Sequence, residues 1–156
     1  MDGTTGGLRL RDAAGRGLDL TVEGYQFPDR VPEPDTHDWD ANWLVVHGEV
    51  DDGVRRWRFT APCLETSEAA ELARWLHAAA DGRGSARLGF TEPNLAFRLG
   101  RQAGGTVQLH VTLGAESATD HDPRARPTGV SIVVPSTRLR AAATAWADHL
   151  ADFPER

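Results

Sequence analysis

The chain has 156 residues, 23 acids against 17 basic residues, a net charge of −6 and a single cysteine. Cys63 alone excludes an internal disulfide and fits a reducing compartment, and an acidic surface argues against direct nucleic-acid contact, since phosphates need a basic one. No apolar run approaches the about 20 residues of a membrane span and "MDGTTGGLRL" lacks a signal peptide's charged and apolar regions, so a cytoplasmic protein is expected, one domain over 1–156 with a disordered tail at 1–7. There is no lysine, so every exposed cation other than a protonated histidine is a planar arginine fork suited to carboxylates.

In chain order, "LRLRD" (8–12) alternates apolar and charged residues and "AAGRG" supplies a turn. "LDLTVEGYQF" (18–27) then sets Leu18, Leu20 and Val22 on one face and Asp19, Thr21 and Glu23 on the other. The segment "PDRVPEPDTHDWDA" (28–41) holds three prolines and five acids against one arginine and reads as a surface loop. "NWLVVHGEV" (42–50) and "VRRWRFT" (54–60) flank "DDG", a hairpin signal. Trp43 to Val46 is apolar at every position, which predicts a central strand covered on both faces. A helix follows over about 67–80, capped by Thr66 or Ser67, with Ala69, Leu72, Ala73, Leu76 and Ala80 as its apolar stripe.

The second half repeats the plan. "ARLGF" (86–90), "NLAFRLG" (94–100), "TVQLHVTL" (106–113) and "GVSIVV" (129–134) read as strands. Phe97, Leu99, Val107, Leu109, Val111 and Leu113 point inward, and Arg98, Gln108, His110 and Thr112 outward. The polar loop 114–128 leads to a last helix with Ser136 as N-cap and Leu139, Ala143, Trp146, Leu150 and Phe153 on its face. Cleanly alternating strands that follow one another directly favour α+β: a mainly antiparallel sheet of about eight strands with two helices, in the order of a duplicated four-strands-plus-helix unit. Each helix then covers one sheet face and leaves the other open to solvent or a partner.

Several constellations invite a chemical reading. Asp35, His37, Asp38 and Asp40 offer metal-ligand atoms, as do Asp120, His121 and Asp122, but the EF-hand glycine and glutamate are missing and no paired zinc spacing occurs. No metal and no cofactor is expected. Cys63 lies in "APCLETSE" with His47, His77 and His110 elsewhere in the chain, but no motif ties a base to it, and the packed-hydrophobe reading is favoured. The nucleophile-elbow, phosphate-loop, zinc-protease and dinucleotide patterns are absent, and "GRGSARLG" follows a helix instead of opening one.

Trp43, Trp57 and Trp146 sit on apolar stripes and are assigned to the core. Trp39 lies within the acidic loop, and anchoring inward is favoured over display as a binding residue. Around it stand Asp29, Glu33, Asp35, Asp38 and Asp40 against Arg30. In "FTEPNLAF" (90–97), Pro93 breaks the strand and Glu92 and Asn94 are placed to satisfy turn amides, while the sharper alternative sets Glu92 beside the acidic loop.

The stretches "YQFPD", "DWDANWLVVHGEV", "WRFTAPCLETSEAAELARWL" and "FTEPNLAFRL", with the C-terminal tryptophan helix, resemble the WapI-type immunity proteins over about 8–153. That resemblance implies a non-catalytic cytoplasmic protein that binds the C-terminal toxic domain of a contact-delivered polymorphic toxin, which in the founding system acts on transfer RNA. No set of functional residues is carried over with it. The residues assigned to partner binding are Asp29, Glu33, Asp35, Asp38, Trp39, Asp40 and Glu92. The alternatives left open are a small-molecule-binding or accessory domain, and an enzyme using Cys63 or the Asp/His loops.

Overall fold

The computed structural model describes residues 6–119, 124 and 126–156. The Asp120, His121 and Asp122 cluster and positions 1–5 of the expected tail lie outside the described residues. Two four-stranded antiparallel meanders make up the sheets. The first runs β1 (Leu8–Arg11), β2 (Gly17–Tyr25), β3 (Trp43–Asp51) and β4 (Arg56–Glu65), and a one-turn helix α1 (Trp39–Asn42) precedes β3. Helix α2 (Thr66–Ala80) follows it. The second sheet runs β5 (Arg87–Leu88), β6 (Leu95–Ala103), β7 (Thr106–Leu113) and β8 (Thr128–Pro135), and helix α3 (Ser136–Leu150) follows that. The fold is α+β, and both halves have the same order, four strands then a helix.

Alternation in the sequence becomes alternation in burial. Leu8, Leu10, Leu18, Leu20, Leu44, Val46, Trp57 and Phe59 are buried from the first sheet, and Phe97, Leu109, Val111, Val130 and Ile132 from the second. One hydrophobic cluster joins them to Leu72, Leu76, Leu139 and Trp146 of the two long helices. Helix α3 packs on α2 and touches β1 and β2 as well as β7 and β8, so it bridges the sheets. The Trp146 indole donates to the carbonyl of Ala69 at 2.9 Å, which satisfies its one polar atom inside the helix–helix contact.

Several expectations change. Strand β3 is central in its sheet but covered on one face only: Leu44 and Val46 are buried, whereas Trp43 and Val45 are half-buried. Trp43 is therefore not a core tryptophan. The cap of α2 is Glu65, whose amide donates to the Glu68 carboxylate at 3.0 Å, not Thr66 or Ser67. Helix α3 starts from Pro135, and Ser136 spends its amide on the carbonyl of Gly105 at 2.8 Å. Gly7, expected within the tail, is buried and at φ 137° sits so close to β2 that a Cβ there would lie 2.4 Å from the carbonyl oxygen of Leu20.

Two contacts generate tests. Gly48 faces Phe59 across the β3–β4 ladder, and a Cβ at Gly48 would meet the ring at 2.2 Å. Gly48→Ala should lower unfolding free energy by about 1–3 kcal/mol, read by urea denaturation, because the ring has to leave its rotamer. His149 Nε2 accepts the Val22 amide at 2.8 Å, beside the bulge between Val22 and Gly24, and burial holds the ring below its ordinary value of 6.5. Its contribution is thus complete above pH 6.5 and is lost as pH falls through the depressed folded value. His149→Gln should flatten that acidic limb of the stability curve.

Candidate functional site

The prolines and acids of 28–41 do form an irregular segment, but its interior is tightly tied. Asp38 caps α1 by accepting the Ala41 amide at 3.2 Å, and the same carboxylate accepts the Glu33 amide at 3.2 Å. Arg30 Nε donates to both its oxygens, at 3.0 and 3.1 Å. The Arg30 hydrogen bond, ahead of the two amides, holds the Asp38 carboxyl below the usual carboxylate range. Asp38 is buried. Its carboxylate folds the loop, a role that the sequence reading, which assigned it to partner binding, did not include.

A second clasp comes from Arg156. Its guanidinium stacks over the Tyr25 ring at 4.4 Å and donates to the carbonyls of Pro28, Phe27 and Arg30. Buried Asn42 ties the Arg156 backbone from both sides, donating to its carbonyl at 3.0 Å and accepting its amide at 2.8 Å. A third tether is His37 Nε2 against the buried Glu65 carboxylate at the start of α2.

What these clasps leave outside is distinctive. Trp39 is 53% exposed, its ring standing edge-on to His37 at 4.7 Å, so it is displayed instead of anchored as expected. Phe27 and Val31 are exposed by 44% and 83%. Among the described residues, five large hydrophobic side chains are exposed, and three of them lie between positions 27 and 39. Asp29, Glu33, Asp35 and Asp40 are exposed around them. Asp35 holds a left-handed φ of 63°, a conformation that Asp and Asn tolerate better than most residues. Phe27 and Val31 escaped the sequence reading; the available signal was two isolated apolar residues flanking prolines inside an acid-rich stretch.

Glu92 is half-buried in the turn before β6. His37 meets the Glu65 carboxylate, the Glu65 amide donates to Glu68, and the Thr91 amide, next to Glu92, donates to the same Glu68 carboxylate at 2.7 Å. Asn94 does not serve its local turn. It is buried and donates to Glu116 at 3.0 Å and to Ser117 Oγ at 3.1 Å, pinning the 3-10 turn Ala115–Ser117.

The chemical alternatives fare differently. Cys63 is 1% exposed, and burial pushes its thiol up to about 12, so it carries no thiolate at neutral pH. No group of three or more His, Cys, Asp and Glu among the described residues is placed to hold a metal ion. A groove of about 210 Å³ on the outer face of the first sheet is lined by the backbone of Gly6 and Gly7 and by the side chains of Arg9, Asp19, His47 and Glu49. No described helix is long and apolar enough to cross a membrane.

The model of the WapI-like immunity protein family matches residues 9–154, nearly the whole chain, and the protein belongs to that family. No curated protein and no solved structure matches it.

Two outcomes test this geometry. Cys63 should resist alkylation in the native protein at pH 7.5 and react only on unfolding, since it is buried and burial pushes its thiol up to about 12. Arg156→Ala and Asp38→Ala should each accelerate hydrogen exchange at the amides of Glu33 and Ala41 while strands β6 to β8 remain protected.

Proposed function

We propose that the protein is an immunity factor that neutralises a cognate toxin domain by occupying its surface, with the loop 27–40 as the contact and no chemistry of its own. One observation carries this reading: Phe27, Val31 and Trp39 are held in the open in one loop, interspersed along the chain with exposed Asp29, Glu33, Asp35 and Asp40. An exposed apolar centre with a charged rim is the anatomy of a protein–protein contact, and tryptophan is the residue most enriched where binding energy concentrates. Ordering the loop beforehand, through Asp38 and Arg156, lowers the entropy lost on association.

Family membership supports a toxin as the partner. The charge supports a basic toxin face, and an RNA-cleaving domain, which must attract phosphates, carries such a face. The acids steer encounter, and the aromatic centre sets how long the complex lasts. Glu92 extends the same negative surface beyond the loop. Asp38 belongs to the account as the residue that positions the others.

The test is binding to the toxin domain encoded with this chain. Asp35→Asn with Asp40→Asn should slow association and reduce its salt dependence while leaving dissociation nearly unchanged. Trp39→Ala should act on dissociation and weaken the complex by about 2 kcal/mol or more, roughly 30-fold in Kd. Unchanged rates in both variants would remove the loop from the interface.

A further inference from the structure

The two sheets treat their outward arginines in opposite ways. In the first sheet every strand arginine is paired: Arg9 and Arg11 with Asp19 at 3.9 and 3.0 Å, Arg56 with Asp51 at 2.7 Å, and Arg58 with Glu49 at 3.3 Å. Strands β5 to β8 contain Arg87, Arg98, Arg101 and His110 and not one Asp or Glu. Among the described residues, none of those three arginines forms an ion pair. All three are exposed.

Their placement is ordered by register. Arg87 lies directly opposite Arg98, Arg98 opposite His110, and His110 opposite Ser131, so one row crosses all four strands. Like charges facing each other on adjacent strands destabilise a sheet, and no ion pair among the described residues offsets them. Arg101 joins them from the bulge between Leu99 and Gln102, where it lines a shallow depression with Gln108 and Val133. Val133 is 40% exposed and supplies an apolar centre. His110 donates to or accepts from Ser131 Oγ at 2.6 Å, and burial, then the Arg98 charge, lowers its titration, so the fixed charge comes from the arginines.

We propose that the outer face of the second sheet is a second interaction surface, and that its occupant is a protein segment with clustered carboxylates gripped by Arg87, Arg98 and Arg101. Guanidinium forks match carboxylates in bidentate geometry; the row presents Arg87 and Arg98 from neighbouring strands, about 4.8 Å apart, and Arg101 joins them from the bulge further along β6. Three fixed cations in a chain of net charge −6 are too few to hold a phosphate backbone, which disfavours nucleic acid. A second copy docking its own acidic loop here would make a heterologous contact that builds open chains unless it closes. The proposal is independent of the reading of the 27–40 loop.

The experiment is fluorescence anisotropy with labelled decaglutamate at low salt, using the intact chain, Arg87→Thr with Arg98→Thr, and Asp35→Asn with Asp40→Asn. Binding should weaken about tenfold or more in the arginine variant and stay unchanged in the loop variant. The arginine variant should also melt about 1–3 °C higher, because a like-charge pair has been removed. Equal binding by the arginine variant, or a lower melting temperature, would overturn the proposal, the latter by giving the arginines a structural role. Tighter binding of decauridylate than of decaglutamate would replace the occupant with nucleic acid. Concentration-dependent sedimentation abolished in both variants would replace it with a second copy.

Discussion

A four-stranded meander has two faces, and this chain has apolar residues enough for one face of each sheet. That constraint shapes the molecule. Leu18, Leu20 and Val22 must go inward together because they share a side-chain parity, and Asp19, Thr21 and Glu23 must then face out. The inner faces are sealed by two helices that also pack on each other, and Trp146 closes that seam with its indole nitrogen satisfied by the Ala69 carbonyl. What a partner can reach is consequently an outer sheet face, the outward side of a helix or a loop, and the sheets and the loop 27–40 differ in charge.

The loop 27–40 shows how a polar segment is made rigid without a core beneath it. A buried carboxylate is unfavourable unless fully engaged, and Asp38 is engaged by one guanidinium and two amides. With those groups committed inward, the side chains between them have no apolar surface left to cover, and Phe27, Val31 and Trp39 stay in water. Exposure of three large apolar groups on an ordered scaffold is unfavourable for an isolated protein. It is accounted for when another surface removes them from water.

How much of this was legible in the sequence follows from the range of each interaction. Strand parity and helix stripes are local, so the α+β class, the eight strands and the two long helices could be read directly. Caps were misread at both long helices, because Glu65 outcompetes Thr66 and Ser67 through its reciprocal partner Glu68, and Ser136 is drawn to Gly105 from another hairpin. The doubly apolar run at Trp43 looked like a strand covered on both faces, but whether a second layer exists is decided by distant segments. Asp38 looked identical to Asp35 and Asp40 as sequence; only the approach of Arg30 separates a structural acid from exposed ones. Arg156, more than a hundred residues from the carbonyls it holds, gave no signal at all.

Net charge conceals the most useful electrostatic fact. The value of −6 describes no part of the surface: the loop around Trp39 is far more acidic per residue, and the strands of the second sheet carry no acid. Opposite charges that do not neutralise each other within one molecule raise its self-energy, and the first sheet shows that this chain pairs arginines readily where pairing is the only requirement. On the proposal made for the second sheet, its arginines are left unpaired for the carboxylates of a partner. On the two proposals, the acidic, aromatic-centred loop and the arginine-lined sheet are separate contacts of opposite charge, and each selects a complement of its own.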